Sequence, residues 1–301
     1  MRSSRSGTLS FLITCALVIA LAAQPARAQQ SKPTWGQILI SGGRDDNTAA
    51  DLYDPASNRF APEIATPRMK RRIGATATVL VSGPNAGKVL IAGGDNRNGI
   101  ARAPTELYDP ATNTVVPGPH MHIPRTGHVA AAIAYGAGVG KILIAGGRDA
   151  GNYRLSSTEL YDPQTNTFSP GPAPKNIRNG HTATVITSGP FAEKILIAGG
   201  ANWLGDSPSL ASTELYDPDS NAFSPGPSMN FPRARHTATT ILSGRNAGKI
   251  LIAGGMQKDG IVYSSIELYG PATNRFAPSG DTPEMNWVRF DAVAVQLPPK
   301  P

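Results

Sequence analysis

A short apolar segment that ends in a pair of glycines occurs five times in this chain of 301 residues. A recurrence at this period indicates a repeat architecture, in which each repeat is one supersecondary unit that stacks on its neighbours. Each segment is rich in β-branched residues and is stopped by glycine, so it predicts a short strand buried on both faces. Successive pairs are separated by 51, 53, 53 and 55 residues, at Gly42-Gly43, Gly93-Gly94, Gly146-Gly147, Gly199-Gly200 and Gly254-Gly255.

Each repeat contains the pattern of four short strands joined by turns. The repeat that starts at Arg178 predicts strands at 178–186, 194–198, 212–216 and 222–225. The loop between its second and third strands, 201–211, has a different sequence in every repeat. Four antiparallel strands in about fifty residues correspond to one blade of a β-propeller.

The turn after the third strand has a common sequence, Asp-Pro-x-Thr/Ser-Asn, in four repeats, and starts with Gly270 in the last. Proline presets φ, aspartate accepts bonds from the following amides, and asparagine tolerates the left-handed region. A tyrosine precedes each turn, and a phenylalanine or Val115 follows it. We expect these side chains to fill the space between neighbouring blades. The tyrosines are Tyr53, Tyr108, Tyr161, Tyr216 and Tyr269, and the phenylalanines are Phe60, Phe168, Phe223 and Phe276.

The glycine pair, the Glu-Leu-Tyr-Asp-Pro segment, the following aromatic residue and an Arg-x-x-His segment together resemble the kelch repeat. The resemblance covers essentially all of the chain after residue 28. The fourth-strand position is usually tryptophan in the kelch family and is phenylalanine or valine here. The resemblance implies the fold and says little about function, because kelch propellers serve both as enzymes and as binding scaffolds.

The two ends of the chain predict how the ring closes. Residues 35–40 correspond to a second strand with no first strand before it, and residues 289–297 to a first strand with no second strand after it. We therefore predict an all-β, five-bladed kelch-type β-propeller with four antiparallel strands per blade. The ring is expected to close by pairing of the N- and C-terminal strands, 35–40 with 291–297.

The first 28 residues have the layout of a secretory signal peptide. Arg2 and Arg5 give a basic start, residues 9–23 are apolar, and Ala26-Arg27-Ala28 supplies a cleavage site. We predict cleavage after Ala28, which leaves 29–301 as a single propeller domain in the periplasm or outside the cell. An uncleaved N-terminal anchor and a lipoprotein signal at Cys15 are the alternatives.

Cleavage would remove Cys15, the only cysteine, and with it any disulfide, thiol nucleophile or cysteine metal ligand. It would also remove three arginines and no acidic residue, which lowers the formal net charge from +7 to +4. The longest basic run is then Lys70-Arg71-Arg72, so no nucleic-acid partner is expected. No later segment has the length and hydrophobicity of a membrane span.

Four arginines precede the first strands at equivalent positions, and two interpretations of them stay open. They either tie neighbouring blades together or form a cationic ring at the channel mouth that attracts carboxylates and phosphates. A histidine stands three residues after three of these arginines, and Asp291 is assigned to the histidine position of the last repeat. No metal site is expected, because ring symmetry would hold the histidines apart. The arginines are Arg72, Arg125, Arg178 and Arg233, and the histidines His128, His181 and His236.

The loops that break the repeat are the other candidates for a binding site. In a propeller the loops between second and third strands share one face with the connections between blades, and variable loops on a rigid scaffold commonly bind ligands. The alternative is that they are ordinary solvated loops. The candidate ligand-binding residues on this face are Arg97, Arg148, Tyr153, Asn202, Trp203, Asp206, Lys258 and His122.

Three functions are compatible with the sequence. The first is a binding protein that recognises a glycan or a protein partner, anionic ligands included, through loops on one face. The second is a carbohydrate-active enzyme of the sialic acid mutarotase or epimerase type, which the kelch resemblance allows; His122, Asp149 or Asp206 would supply acid or base chemistry. The third is a structural envelope protein. Because no catalytic motif stands out, we predict no catalytic residue, cofactor or metal.

Overall fold

The computed structural model describes residues 17–19, 38–41, 51–54, 59–60, 69–70, 72–96, 98–202, 208–292 and 294. These residues form twenty β-strands, which are arranged in five antiparallel sheets of four strands each. No helix in this part of the chain is long and apolar enough to cross a bilayer.

Each sheet is one blade, and its strands follow one another in chain order. Blade 1 contains β1 Leu17–Ile19, β2 Ile38–Ser41, β3 Asp51–Asp54 and β4 Arg59–Phe60. Blade 2 contains β5 Ile73–Val79, β6 Val89–Asp95, β7 Arg102–Asp109 and β8 Thr114–Arg125. Blade 3 contains β9 Val129–Ala132, β10 Ile142–Ala145, β11 Thr158–Asp162 and β12 Thr167–Pro170. Blade 4 contains β13 Thr182–Val185, β14 Ile195–Ala198, β15 Thr213–Asp217 and β16 Ala222–Pro225. Blade 5 contains β17 Thr237–Thr240, β18 Ile250–Ala253, β19 Ile266–Gly270 and β20 Arg275–Phe276.

The first strands of the blades are neighbours around a central channel. β1 lies against β5, β5 against β9, β9 against β13, and β13 against β17. The predicted all-β, five-bladed propeller with four antiparallel strands per blade is therefore confirmed.

The hydrophobic core lies between adjacent blades rather than inside one sheet. In β10, Ile142 packs with Leu90 of blade 2, while the next residue, Leu143, packs with Ile195 of blade 4. Side chains alternate between the two faces of a strand. A strand covered on both faces must then be apolar at every position, which explains the continuous apolar segment before each glycine pair.

In blades 2 to 5 the tyrosines occupy the predicted place between blades. Tyr161 is fully buried in the cluster that joins blades 2 and 3, and its ring lies 5.1 Å from that of Phe168. Its hydroxyl donates to Oδ1 of Asn166 at 2.8 Å. Asn166 has a φ of 56°, which confirms the left-handed conformation predicted for this asparagine. Its side chain also provides the hydrogen-bond acceptor for the hydroxyl of Tyr161.

Blade 1 differs from the expectation for ring closure. The strand beside β2 is Leu17–Ile19, with Leu17 opposite Ser41 and Ile19 opposite Leu39, instead of the expected segment 291–297. Leu17, Val18 and Ile19 belong to the apolar run of the predicted signal peptide. Two of the three are β-branched and favour a strand. The unpaired edge of β2 offers the backbone groups with which such a strand can pair. Residues 35–37, 293 and 295–297 of the expected pairing lie outside the described part of the chain.

The C-terminal segment lies instead against blade 5. Gly255 N–H donates to the carbonyl of Arg289 at 2.7 Å, and Asp291 N–H donates to the carbonyl of Arg235 at 2.9 Å. The hydroxyl of Thr239 donates to the carbonyl of Ala294 at 3.2 Å. These bonds continue the ring beyond blade 5 in the direction of blade 1.

Candidate functional site

A ring of backbone hydrogen bonds surrounds the channel just before the first strands. The residue two places after each repeated arginine donates its N–H to the carbonyl of its equivalent in the preceding blade. The bonds are Gly127 to Gly74 at 3.0 Å, Gly180 to Gly127 at 3.3 Å, Arg235 to Gly180 at 2.7 Å and Asp291 to Arg235 at 2.9 Å. All five residues have left-handed φ values, between 50° and 67°. Glycine takes this conformation without steric penalty, whereas arginine and aspartate do not.

The glycine pairs give the next blade room to approach. A Cβ on Gly199 would lie 2.4 Å from the carbonyl oxygen of Arg233 and 2.8 Å from Cε1 of His236, both in blade 5 or its connection. A Cβ on Gly200 would lie 2.9 Å from Cβ of His181 in its own blade. The pairs are therefore required by packing around the channel and do not form a ligand site by themselves.

The four repeated arginines are buried inside the blades, with between 0% and 3% of their surface exposed. Arg178 donates from Nε to Glu214 at 3.1 Å, and from Nη1 to the carbonyls of Gly199 and Ser212 at 2.7 and 2.8 Å. Their side chains do not line the channel, which corrects the interpretation of a cationic ring at its mouth. They are tying residues, but each joins the strands of one blade rather than two neighbouring blades. The equivalent pairs are Arg72–Glu106, Arg125–Glu159 and Arg233–Glu267.

The three histidines do line the channel, and two of them bridge adjacent blades. Nε2 of His128 lies 3.0 Å from Oγ1 of Thr76, and Nε2 of His236 lies 3.0 Å from Oγ1 of Thr182. Burial, reinforced by a nearby arginine, lowers the pKa of His128 and His236 to about 3 and that of His181 well below its usual value. All three imidazoles are therefore neutral at neutral pH. Within the described residues, no group of three or more His, Cys, Asp or Glu side chains is placed to share a metal ion.

The first strands and the loops after the glycine pairs enclose a cavity of about 790 Å³ in the channel. This volume is in the range of small-molecule sites. Its lining combines the histidines with glycine and alanine backbone and with asparagines such as Asn152 and Asn179. The charged side chains in the lining are three arginines and two aspartates: Arg148, Arg154, Arg235, Asp95 and Asp291.

Arg148, one of the predicted residues, is held firmly at the cavity wall. Its Nη2 lies 2.7 Å from Oδ2 of Asp95, and its Nη1 donates to the carbonyl of Gly99 at 2.9 Å. The carboxylate of Asp95 balances the charge of Arg148 and fixes the direction of its guanidinium.

Arg154 provides a cation in the cavity that forms no ion pair with the described carboxylates. Its Nη1 donates to the carbonyl and the Oδ1 of Asn152, at 2.6 and 2.9 Å. Its Nε is buried with no hydrogen-bond partner among the described residues. Burial and, to a smaller extent, the nearby Arg148 lower the pKa of Arg154. An incoming anion would relieve both costs.

Arg235 and Asp291 form the remaining charged pair of the cavity. Nη1 of Arg235 lies 3.4 Å from Oδ2 of Asp291, and 11% and 15% of the two side chains are exposed. Burial raises the pKa of Asp291 and lowers that of Arg235, and the attraction between the two opposes both shifts. A residue other than glycine in the left-handed region costs about 1–3 kcal/mol, and such strain concentrates at functional sites.

Arg235 is not among the residues predicted from the sequence, and Asp291 lies at a different position of the repeat from the predicted one. Gly255 bonds to the carbonyl of Arg289 as Gly200 bonds to that of Arg233, so Arg289 is the equivalent of Arg233. Asp291 therefore holds the glycine position of the ring and not the histidine position. The available signal was the sequence Arg-Ala-Arg-His at 233–236, where the two preceding repeats have Arg-x-Gly-His.

The other predicted residues are not brought into the cavity. Tyr153 and Lys258 are exposed on their loops, and Asn202 is half-buried. Nδ1 of His122 lies 3.0 Å from Oε2 of Glu159, so His122 contacts a structural carboxylate. None of these four lines the cavity. Arg97, Trp203 and Asp206 lie outside the described residues.

The ring of five four-stranded blades around a polar cavity defines the chain as a β-propeller. Comparison with known proteins agrees and adds the repeat type. The kelch motif profile matches residues 136–175 and 187–230. The solved structure of YjhT superimposes with a TM-score of 0.65 at 12% identity, over 88% of this chain and 83% of that one, and shows the same fold.

Among curated proteins, the F-box protein AFR of Arabidopsis thaliana is 35% identical over 85 residues, which are 28% of this chain. The chain matches only 21% of the length of that relative. The motif matches and the five blades together support a kelch-repeat β-propeller.

Proposed function

We propose that this protein is an exported binding protein whose ligand carries an acidic group and enters the central cavity. The observation that supports this most directly is the charge of the cavity wall, where three arginines face two aspartates among the described residues. The histidines there add no charge at neutral pH, because burial keeps them neutral. Low-dielectric walls concentrate such a field and attract an anion.

Binding fits the wall better than catalysis does. The histidines are engaged with threonines of neighbouring blades or packed against glycines, and Asp95 is bound to Arg148. The loops around the mouth remain part of the proposal, because a glycan or a protein terminus that enters the cavity would also contact them. Kelch propellers commonly act as interaction scaffolds, which is consistent with this function.

An enzyme of the sugar mutarotase type is the second candidate, and one observation favours it. Asp291 borders the cavity and its pKa is raised by burial, which is how proteins prepare a carboxyl group for acid–base work. An accelerated approach to mutarotation equilibrium by purified protein, lost in Asp291→Asn, would support this candidate over a binding protein.

The cavity proposal is tested by titration calorimetry against glycans and peptides in acidic and neutral forms. We expect acidic ligands to bind, with an affinity that falls as salt rises. Arg154→Gln should weaken binding about tenfold, since it removes one charge-assisted bond. Arg245→Gln, which removes an exposed arginine in a turn outside the cavity, is the matched control. Equal losses in the two variants, or no preference for acidic ligands, would reject the proposal.

Export is the second part of the proposal and rests on the basic start, the apolar run and the Ala26-Arg27-Ala28 site. The exported protein should begin at Gln29, without β1, and carry no lipid. Intact-mass spectrometry of the exported material measures this directly. A mass that includes residues 1–28, or a lipid on Cys15, would contradict it.

A further inference from the structure

Arg235 and Asp291 depart from the repeat at the same position in two successive copies. In blades 2, 3 and 4 the ring position is glycine, at Gly74, Gly127 and Gly180. Arg235 and Asp291 keep the left-handed backbone and the ring hydrogen bonds, with φ values of 57° and 50°. The backbone at this position therefore does not need these side chains, and glycine would hold it with less strain.

Their side chains project to the cavity instead of into the blades. Both residues line the cavity, and a Cβ on Gly180 would lie 3.3 Å from Cγ of Arg235, so the arginine extends across the neighbouring ring position. The separation of 3.4 Å between Nη1 and Oδ2 exceeds that in five other arginine–carboxylate pairs of the described chain, which range from 2.7 to 3.2 Å. The Arg235–Asp291 pair is thus looser than the other five pairs and borders the cavity.

The pair constrains the chemistry of a ligand that contacts both side chains. A plain carboxylate would be attracted by Arg235 and repelled by Asp291. A plain ammonium group would be attracted by Asp291 and repelled by Arg235. A ligand that carries both groups on neighbouring atoms can pair its carboxylate with Arg235 and its ammonium with Asp291. Its two charges then match the two charges of the wall, so no buried charge is left uncompensated.

We propose that Arg235 and Asp291 are the specificity-determining pair of the cavity, and that they recognise the α-amino-carboxylate head group of an amino acid or amino-acid-headed ligand. This inference rests on the proposed function, since it assumes that the cavity is the binding site. The remaining volume is available for the body of the ligand, which would extend to Asn152 and Arg154 on the wall formed by blade 3.

The test is calorimetric titration of the purified protein with matched series of small compounds. Alanine, lactate and propionate share a three-carbon skeleton, and ethylamine is alanine without its carboxylate, so the four differ in the groups offered to the pair. Phenylalanine, phenyllactate, phenylpropionate and phenethylamine repeat the comparison with a larger body. We expect each amino acid to bind about tenfold tighter than its three analogues. Equal affinity for the amino acid and the plain carboxylate would overturn the inference.

Variants at the pair separate recognition from a structural role. Asp291→Asn removes the charge that attracts an ammonium group and repels a carboxylate. It should weaken amino-acid binding about tenfold and strengthen binding of the plain carboxylate. A change that only loosened the fold would weaken both. Arg235→Gly restores the ring glycine and removes its backbone strain, while it leaves Asp291 without its cation; it should abolish binding of both compounds.

The result also distinguishes this inference from the proposed function. If acidic glycans or peptides bind the wild-type protein and Arg235→Gly equally, the cavity proposal stands and the role of the pair is rejected. If the wild-type protein binds neither these ligands nor the small series, both are rejected. Unchanged affinity for the amino acids in both Asp291→Asn and Arg235→Gly would reject the pair alone.

Discussion

Arg178 and Glu214 form a buried ion pair that joins the start of blade 4 to its third strand. Nη2 lies 3.0 Å from Oε2, and 2% and 4% of the two side chains are exposed. Glu214 also accepts the backbone N–H of Lys175 at 2.6 Å, so the carboxylate fixes the connection that leads into the blade. The same relationship occurs in blades 2, 3 and 5. It explains why this arginine and glutamate recur in the repeat without forming a ligand site.

Removing one member of this pair should destabilise the whole propeller. Arg178→Met leaves the carboxylate of Glu214 buried without its cation, and we expect the free energy of unfolding in urea to fall by about 3–5 kcal/mol. Arg245→Met, at an exposed arginine in a turn, should change it by less than about 0.5 kcal/mol. The double variant Arg178→Met/Glu214→Met should recover part of the loss. A loss from Arg178→Met as small as that of the control would show that the pair contributes little.

The glycine pairs should tolerate a methyl group much less well than other left-handed glycines. Gly199 and Gly260 both have positive φ, 62° and 88°, but a Cβ on Gly260 would meet no atom within 4 Å. Gly260→Ala should therefore cost only the backbone strain, about 1 kcal/mol. Gly199→Ala adds a clash with the backbone carbonyl of Arg233 and should cost about 2 kcal/mol more. Urea unfolding of the two variants measures this difference, and equal losses would mean that the blades can move apart without penalty.

The asparagine that ends the turn in blades 2 to 5 has two functions, and substitution can separate them. Asn166→Gly keeps the left-handed φ and removes only the bond to the hydroxyl of Tyr161, which should cost about 1 kcal/mol. Asn166→Ala removes the same bond and adds backbone strain, so it should cost about 1 kcal/mol more. Thermal unfolding of the two variants against wild type tests the order. If Asn166→Ala were at least as stable as Asn166→Gly, the left-handed conformation assigned to residue 166 would be wrong.

The sequence predicts the fold well because the constraints on the fold are repeated. A buried β-branched strand, a glycine pair, a Tyr–Asn turn and a fixed period recur, and each copy supports the same interpretation. The direction of the arginine side chains was open, because an Arg-x-x-His segment is equally compatible with a bond to Glu214 inside the blade and with a position at the channel mouth. Only the structure, where Arg178 reaches the carbonyls of Gly199 and Ser212, decides between them.

The candidate site was harder to predict because it departs from the repeat by single residues. Arg235 stands between two residues that the repeat does fix, Arg233 and His236, and its importance depends on the left-handed φ that only the structure gives. Asp291 could be aligned only through the backbone bond of Gly255 to Arg289. The pairing of Leu17–Ile19 with β2 was also outside the reach of pattern analysis, since those residues match a signal peptide.

The buried histidines should make stability depend on pH well above the range in which carboxylates titrate. His128 and His236 have pKa values of about 3 in the folded protein and about 6.5 when unfolded. Between these values the unfolded chain binds more protons than the folded one, so stability is complete above about pH 6.5 and falls as the pH decreases. Each histidine should contribute a loss of about 1.4 kcal/mol between about pH 7.5 and about pH 5.5.

Urea unfolding at the two pH values measures this loss, and single variants assign it. His128→Gln should make the loss smaller by about 1.4 kcal/mol, because glutamine takes up no proton in this range. His122→Gln is the matched control, since 56% of the side chain of His122 is exposed and it lies outside the channel. If His128→Gln and the wild-type protein lost the same free energy of unfolding on acidification, the imidazole of His128 would already be accessible to protons in the folded ring.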